Sequence, residues 1–425
     1  MDLTPGDSRA RLRQRQRRAL DRYLRSEVAP FAPFWRSRLI KAGLSGQRLQ
    51  RVEDLRRLPI TELAELGDGR EAVLRPTDST LLHEGPMRMR WGAAIAKVTG
   101  RGSAVNRTLV EPAYKPIQWH VHGALLVGST SEDIETLAEL GRRWLELAGV
   151  RSTDVIVSLL ANGPRLPFWQ LVHGARRAGI AVVPLDPAVT PAAVTAVAPN
   201  VVVGSPEVLA AVLDADEAWT GIARPTTIIP VGVGQPISAD DHDRLVDLAQ
   251  GGEVVDALWV EGVRTVWSSC RGGSDLHTHA TAELVEVVDD DGRPARGGAS
   301  GSVVWTGIGW KGTALLRLRT SVHAVLDESK CRTCGRETPR LIPVEPAPMW
   351  IAVLDDHPEV EDWIAEPGPS TLSLSVALVD GRRRRRVLDE LEELLAECDG
   401  VEVAVVPKRR MARMLSSTDR ASEGQ

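Results

Sequence analysis

Apolar residues in the middle of the chain alternate between helical spacing and short unbroken runs. SEDIETLAELGRRWLELAGV, beginning at residue 131, predicts a capped helix with one apolar face, and DVIVSLLANG after it predicts a short buried strand. LPFWQLVHGARRAGI then predicts a second helix and AVVPLD a second strand, and VTAVAPNVVVGSPEVLAAVL repeats the theme. Strands alternating with helices predict a parallel sheet covered on both faces. Around residues 284 to 306 the texture changes. Two extended runs in VEVVDDDGRPARGGASGSVVWTG flank a turn rich in Gly, Pro and Asp, the pattern of an antiparallel hairpin or small barrel.

The flanking regions are less regular. In the arginine-rich opening, Leu12, Leu20, Tyr23, Leu24 and Val28 recur near helical spacing among the charges, which predicts an amphipathic surface helix. Residues 31 to 61 predict short helices broken by turns, and residues 76 to 116 a short helix and a loop with a basic face. After Arg340 the proline-rich LIPVEPAPMW predicts a joint, followed by helix, strand, helix and strand to about residue 407 and then a polar tail. RRRRR at 382 to 386 precedes Leu388, Leu391, Leu394 and Leu395, so these arginines are expected on the solvated edge of an amphipathic helix.

Length and composition narrow the classes. A chain of 425 residues predicts two or three domains. Its 43% hydrophobic and 26% charged residues are ordinary for a globular protein, and a net charge of -5 gives no global pull toward nucleic acid or acidic membranes. No apolar run reaches the roughly 18 to 20 residues needed to span a bilayer, and the opening lacks the apolar core of a signal peptide. A cytoplasmic protein without membrane or nucleic-acid partners is expected. Of only four cysteines, two lie three positions apart in CRTCGRETPR. In a reducing compartment such a pair points to metal binding or redox chemistry rather than to a structural disulfide.

Several stretches together resemble the phenylacetate-CoA ligase branch of the AMP-forming, adenylate-forming synthetases. PFWRSRLIKAGL with VEDLRRLPIT resembles the opening of that branch, and GSTSEDIETLAELGRRWLELAGVRSTDVIV the segment after its phosphate loop. RGGSDLHTHATAELVEVVDDDGRP and LLRLRTSVHAVLDESKCRTCGRETPRL resemble its barrel region, and HPEVEDWIAE its small C-terminal domain. The resemblance implies an α/β adenylate-forming, acyl-CoA synthetase-like fold: a large layered α/β region with a small barrel, then a small α/β domain. The expected boundaries are 1–342 for the large region and 343–425 for the small one. Within the first, residues 1–112 form a helical and loop lead-in, 113–230 an α/β sheet, and 231–342 a second sheet and a zinc-bearing barrel. The implied structural zinc ligands are Cys270, His277, Cys331 and Cys334, with His279 as a competing donor. Three thiolates and an imidazole close a tetrahedral site with no position left for water.

The ATP-handling positions depart from the family pattern. Adenylation needs a loop rich in Ser, Thr and Gly whose N–H groups and hydroxyls cradle phosphates. The equivalent stretch, IQWHVHGA at 117 to 124, has no serine, threonine or lysine and one glycine, Gly123. His120 and His122 alternate as on a strand, so they could face one cleft and bind a phosphate when protonated, or a metal; the other reading makes them partly buried replacements for a lost loop. In RLRTSV, Val322 stands where the resemblance implies the aspartate that holds the ribose hydroxyls, beside Arg319. DALWVE keeps Glu261 as a candidate Mg²⁺ ligand after Trp259, and Gly234 and Gln235 complete the expected nucleotide or substrate cleft. In VPKRRMARML, Met411 occupies the expected place of the catalytic lysine, and Lys408, Arg409 or Arg410 are the nearby cations. The family's glycine-bearing hinge is also missing between Arg340 and Ile351.

Two functions follow. One is a divergent ligase that activates a small carboxylic acid with ATP and Mg²⁺ and passes the acyl group to CoA or a carrier protein. The other is a pseudoenzyme that kept the fold as a binding module, as a homodimer or with a protein partner.

Overall fold

The computed structural model describes residues 9–83, 86–100, 110–344 apart from single positions 164, 189 and 297, and then 354, 357–367, 372–395, 401–408 and 410–411. The chain divides into two compact units, Met1–Val344 and Glu345–Gln425. Most of the proline-rich joint, most of the glycine-bearing VTGRGSAVN stretch, Arg409 and the polar tail lie outside the described residues.

The arginine-rich opening forms helix α1, Arg9–Tyr23, which buries Leu12, Leu20 and Tyr23 while Arg11, Arg15, Arg18 and Arg22 face solvent. Helix α2, Pro33–Lys41, starts on a proline whose missing N–H costs nothing at a helix N-terminus. It buries Trp35, whose indole N–H donates to the carbonyl of Ala314 at 2.7 Å. Helix α3, Met87–Thr99, follows. Strands β1, Gln118–His122, and β2, Leu125–Ser129, pair as an antiparallel hairpin.

Helix α4, Ser131–Leu147, is held at its start by a reciprocal cap: Asp133 N–H donates to the Thr130 hydroxyl, and Thr130 N–H to the Asp133 carboxylate. It crosses helix α5, Leu166–Ala178, at Gly141 and Gly174. A Cβ at Gly141 would collide with the carbonyl oxygen of Gln170, and one at Gly174 with the backbone of Gly141, so only glycine permits this approach.

Strands β3 (Val155–Ser158), β4 (Ala181–Pro184), β5 (Val201–Gly204) and β6 (Thr227–Val233) are all parallel, in the order β4-β3-β5-β6. Helix α6, Pro206–Leu213, and helix α7, Ala239–Ala249, separate them in sequence or follow them. VIVS, VVVG and TIIPVGV are apolar without alternation because helices and loops cover both faces. β6 changes neighbours along its length. Its first half pairs with β5 and with β7 (Glu253–Val254), and its second half with β8 (Ala257–Trp259). From β8 the ladder turns antiparallel through β9 (Trp267–Ser268), β10 (Leu276–His277) and β14 (Arg340–Pro343), and on to β13 (Leu318–Asp327), β12 (Gly301–Gly307) and β11 (Glu283–Val288). Parallel and antiparallel strands thus share one hydrogen-bonded path.

In the second unit, β15 (Val360–Pro367) and β16 (Leu372–Leu378) pair antiparallel, and β16 pairs parallel with β17 (Val401–Val405). Helix α8, Arg384–Leu394, connects the last two and buries Val387 and Leu391 against Leu374, Val376 and Val405. The sequence pattern predicts helix, strand, helix and strand here; the described residues give two strands, a helix and a strand, and most of residues 345–356, where the first helix is expected, lie outside them. Arg382 to Arg386 are exposed, as is Leu394, while Leu391 and Leu395 turn inward.

Candidate functional site: a filled hairpin and a thiol-imidazole cluster

The stretch expected to cradle phosphate is the β1–β2 hairpin. His122 pairs with Leu125, which leaves Gly123 and Ala124 as the whole turn, with Gly123 at φ +60°. A two-residue turn presents few N–H groups, and this one carries no hydroxyl. His120 and His122 do share a face, but that face is inside the protein: both are fully buried. This corrects the expectation that they line an open cleft, and it fits the replacement reading.

The hairpin is fastened from below. Gly128 N–H donates to the Thr313 hydroxyl at 2.9 Å, and Thr313 N–H donates back to the Gly128 carbonyl at 3.1 Å. Arg264, fully buried, donates to the Thr313 carbonyl at 2.9 Å and to the Ser129 hydroxyl at 2.7 Å, and its guanidinium lies 4.1 Å from the centre of the Trp310 ring. Its countercharge is Asp133, 3.6 Å away, whose carboxylate also accepts from the N–H groups of Lys311 and Gly312. Arg264 and Asp133 organise this region, yet sequence reading did not single out either. Asp133 carried a helix-cap signal; Arg264, in VEGVRT, carried none.

His122 is engaged at one nitrogen, where Nδ1 accepts from Gly262 N–H at 2.8 Å, and its ring meets Trp259 edge to face at 5.1 Å. Burial, reinforced by His120 and then Arg264, holds its pKa well below the ordinary imidazole value, so it is neutral at physiological pH. A phosphate-binding role that needs a protonated ring is not served here.

The other cleft residues partly converge. The Glu261 carboxylate lies against the hairpin turn, where a Cβ on Gly123 would come within 2.8 Å of its Oε2. Gly234 N–H donates to the Trp259 carbonyl at 2.8 Å, and the Gly234 carbonyl accepts from the Ser321 hydroxyl at 2.5 Å. Gln235 beside it is exposed, and Trp259 is buried with its indole N–H donating to the Val263 carbonyl. Arg319 turns to Glu62, at 2.9 Å. Val322 points into the main hydrophobic core, so no side chain at 322 reaches the cleft; the exposed neighbour beside Gly234 is Ser321. Met411 is buried with Ala377 and Val406 in the second unit, and Lys408 is exposed and paired with Glu361.

The second constellation is compact. Cys270, His277, Cys331 and Cys334 place one ligand atom each within 4.8 Å of one another. Cys270 Sγ to Cys331 Sγ is 3.9 Å, and Cys334 Sγ to His277 Nε2 is 3.5 Å. Tetrahedral zinc at the usual bond lengths separates two sulfurs by about 3.8 Å, so the donor set fits that ion. Cys270 follows β9, His277 lies in β10, and the Cys331–Cys334 loop joins β13 to β14. Gly335, at φ +74°, turns the chain so that its N–H donates to the Cys331 carbonyl. The Thr338 hydroxyl lies 3.4 Å from His277 Nδ1, where it can orient the ring. Burial, followed by Arg336, Arg340 and His279, lowers His277 to about 4, which keeps it neutral and able to donate a lone pair. Burial, then Cys334 and Cys331, pushes the Cys270 thiol up to about 12, so thiolates gather here stably only around a cation. The competing donor His279 is used elsewhere, with Nε2 at 3.0 Å from the Val266 carbonyl and its backbone N–H on Glu283.

No protein-family model and no curated protein sequence matches the chain. Its fold does match solved structures of 2-hydroxyisobutyryl-CoA ligase. One in the postadenylation state, in complex with R3-HIB-AMP, has a TM-score of 0.59 at 16% identity and covers 96% of this chain and 90% of that one. An open conformation in complex with 2-HIB-AMP and CoA has a TM-score of 0.60 at 16% identity, covering 95% and 92%.

Proposed function

We propose that this chain, which has the AMP-forming, adenylate-forming ligase fold, is a pseudo-ligase of the phenylacetate-CoA ligase-like branch: a binding module that has lost ATP-driven carboxylate activation. The observation that carries this reading is the β1–β2 hairpin: the stretch that the sequence resemblance equates with the phosphate-cradling loop has a two-residue turn and a buried, neutral His122. Each lost hydrogen bond to a charged phosphate oxygen is worth about 1.5–3 kcal/mol, and about 1.4 kcal/mol is a factor of ten in affinity. Several such losses remove useful ATP binding. The same reading includes a structural zinc ion held by Cys270, His277, Cys331 and Cys334, which would lock β9 and β10 to the loop between β13 and β14. With four protein ligands the ion supplies folding energy and no open coordination position.

A second reading, residual activation of a small carboxylic acid for CoA or a carrier protein, draws on one observation: Glu261, the candidate Mg²⁺ ligand, still lies against the hairpin turn. ATP–pyrophosphate exchange with a panel of aryl and aliphatic acids, together with Mg-ATP calorimetry at pH 8, separates the two. The pseudo-ligase reading expects no exchange and no micromolar binding. Adenylate formation with any acid would overturn it.

A further inference from the structure

Helix α3 wears its apolar stripe on the outside. Met87, Trp91, Ile95 and Val98 recur at intervals of four, four and three residues, so they lie along one face over about 16 Å of helix. They are 72%, 67%, 56% and 87% exposed. Among the described residues, the three most exposed large apolar side chains are all on this helix. Its opposite side is thin: Met89 reaches the large core and Ala93 packs against it. A helix that needed only to cover the core would turn the stripe inward.

The charges of this segment decide what the stripe faces. From residue 87 to residue 100 the charged residues are Arg88, Arg90 and Lys97, with no aspartate or glutamate, in a chain whose overall charge is -5. A second copy docking its own stripe here would bring like charges together. An anionic surface would be attracted. An exposed tryptophan in an apolar stripe, accompanied only by basic residues, is the composition of helices that lie in the boundary between lipid headgroups and acyl chains. We propose that helix α3 docks this protein on an anionic lipid surface, with Met87, Trp91, Ile95 and Val98 entering the headgroup boundary.

The sequence expectation of no membrane partner rested on the lack of a spanning segment and on the net charge. Among the described residues no helix is long and apolar enough to cross a bilayer, but a helix lying in the interface needs neither that length nor apolar residues all round. Net charge is likewise a poor guide where basic residues are grouped on one element.

The test is cosedimentation of the full chain with vesicles of equal parts phosphatidylglycerol and phosphatidylcholine, and with phosphatidylcholine alone. Binding is expected on the anionic vesicles, weaker on the neutral ones, and weaker again as salt screens the charges. Ile95→Asp with Val98→Asp should reduce it about tenfold or more, and Lys97→Glu should reduce it by a smaller factor. These side chains are exposed, and melting curves check that the variants fold; Val98→Ser serves should the double variant misfold. A wild-type chain that stays in the supernatant overturns the proposal, as does equal binding by the aspartate variant. A dimer in sedimentation velocity that the aspartate variant abolishes, without vesicle binding, would assign the stripe to a second copy. Capture of an acidic protein by the same stripe, again without vesicle binding, would assign it to a protein partner.

Discussion

The backbone N–H of Gly262 donates to Nδ1 of His122 at 2.8 Å, inside the protein. A neutral imidazole that accepts at Nδ1 carries its proton on Nε2, so this contact fixes the tautomer. His122→Ala should cost about 2–4 kcal/mol, because it opens a cavity and leaves the Gly262 N–H unpaired. The same burial gives a pH signature. With the folded pKa well below the unfolded value of about 6.5, the unfolded chain binds the proton first as pH falls. Stability from this residue is therefore complete above that value and falls as pH drops below it, by about 1.4 kcal/mol per unit until the folded pKa is reached. Urea titrations between pH 7.5 and 5 should show the slope, and His122→Gln should reduce it, leaving the share that His277 contributes through its own lowered pKa.

Metal analysis of protein purified without chelator should find zinc close to one per chain. Cys334→Ser should lower both zinc content and melting temperature, since one of four donors is lost and the others remain crowded. Chelation of the wild type should move its melting curve toward that of the variant. Full thermal stability in a metal-free preparation would count against the assignment.

Val322→Asp restores the residue that the sequence resemblance implies, yet it should not restore nucleotide binding. The side chain at 322 is 1% exposed and packs in the main core. A carboxylate buried among these apolar side chains should destabilise the fold by about 3–5 kcal/mol. Denaturant unfolding reads the loss directly. An aspartate variant that keeps wild-type stability and gains ATP affinity would mean that β13 can be repositioned.

The crossing of α4 and α5 gives a control that changes no residue of either site. Gly174→Ala should separate the two helices and cost about 2–4 kcal/mol, because the added methyl meets the backbone of Gly141, which cannot swing away as a side chain would. Gly179→Ala, at the end of α5, has open space around it but a φ of +71°, so its cost should be only about 1 kcal/mol and come from backbone strain. Comparing their unfolding midpoints separates the two causes.

Periodicity and turn residues made the helices and parallel strands legible, because SEDIETLAELGRRWLELAGV or VVVG is committed by its own spacing to one kind of burial. The grouping of Cys270, His277, Cys331 and Cys334 was also readable, through its resemblance and the chemistry of its side chains, although Cys270 and Cys331 are 61 positions apart. What the spacing of QWHVH could not reveal is the direction in which its histidines point. Alternation places His120 and His122 on one face, and only the packing of Arg264, Trp259 and Gly262 decides that this face is interior. The same holds for Val322: alternation along β13 puts it on one face with Leu318, Thr320 and Ala324, and the packing of that face against the large core makes it interior. The outward stripe of α3 is the converse case, because its apolar spacing is plain in the sequence but the side turned to solvent is not. Local sequence determines the period of an element and the chemistry it carries; which face is buried depends on neighbours distant in the chain, and so only the tertiary structure decides it.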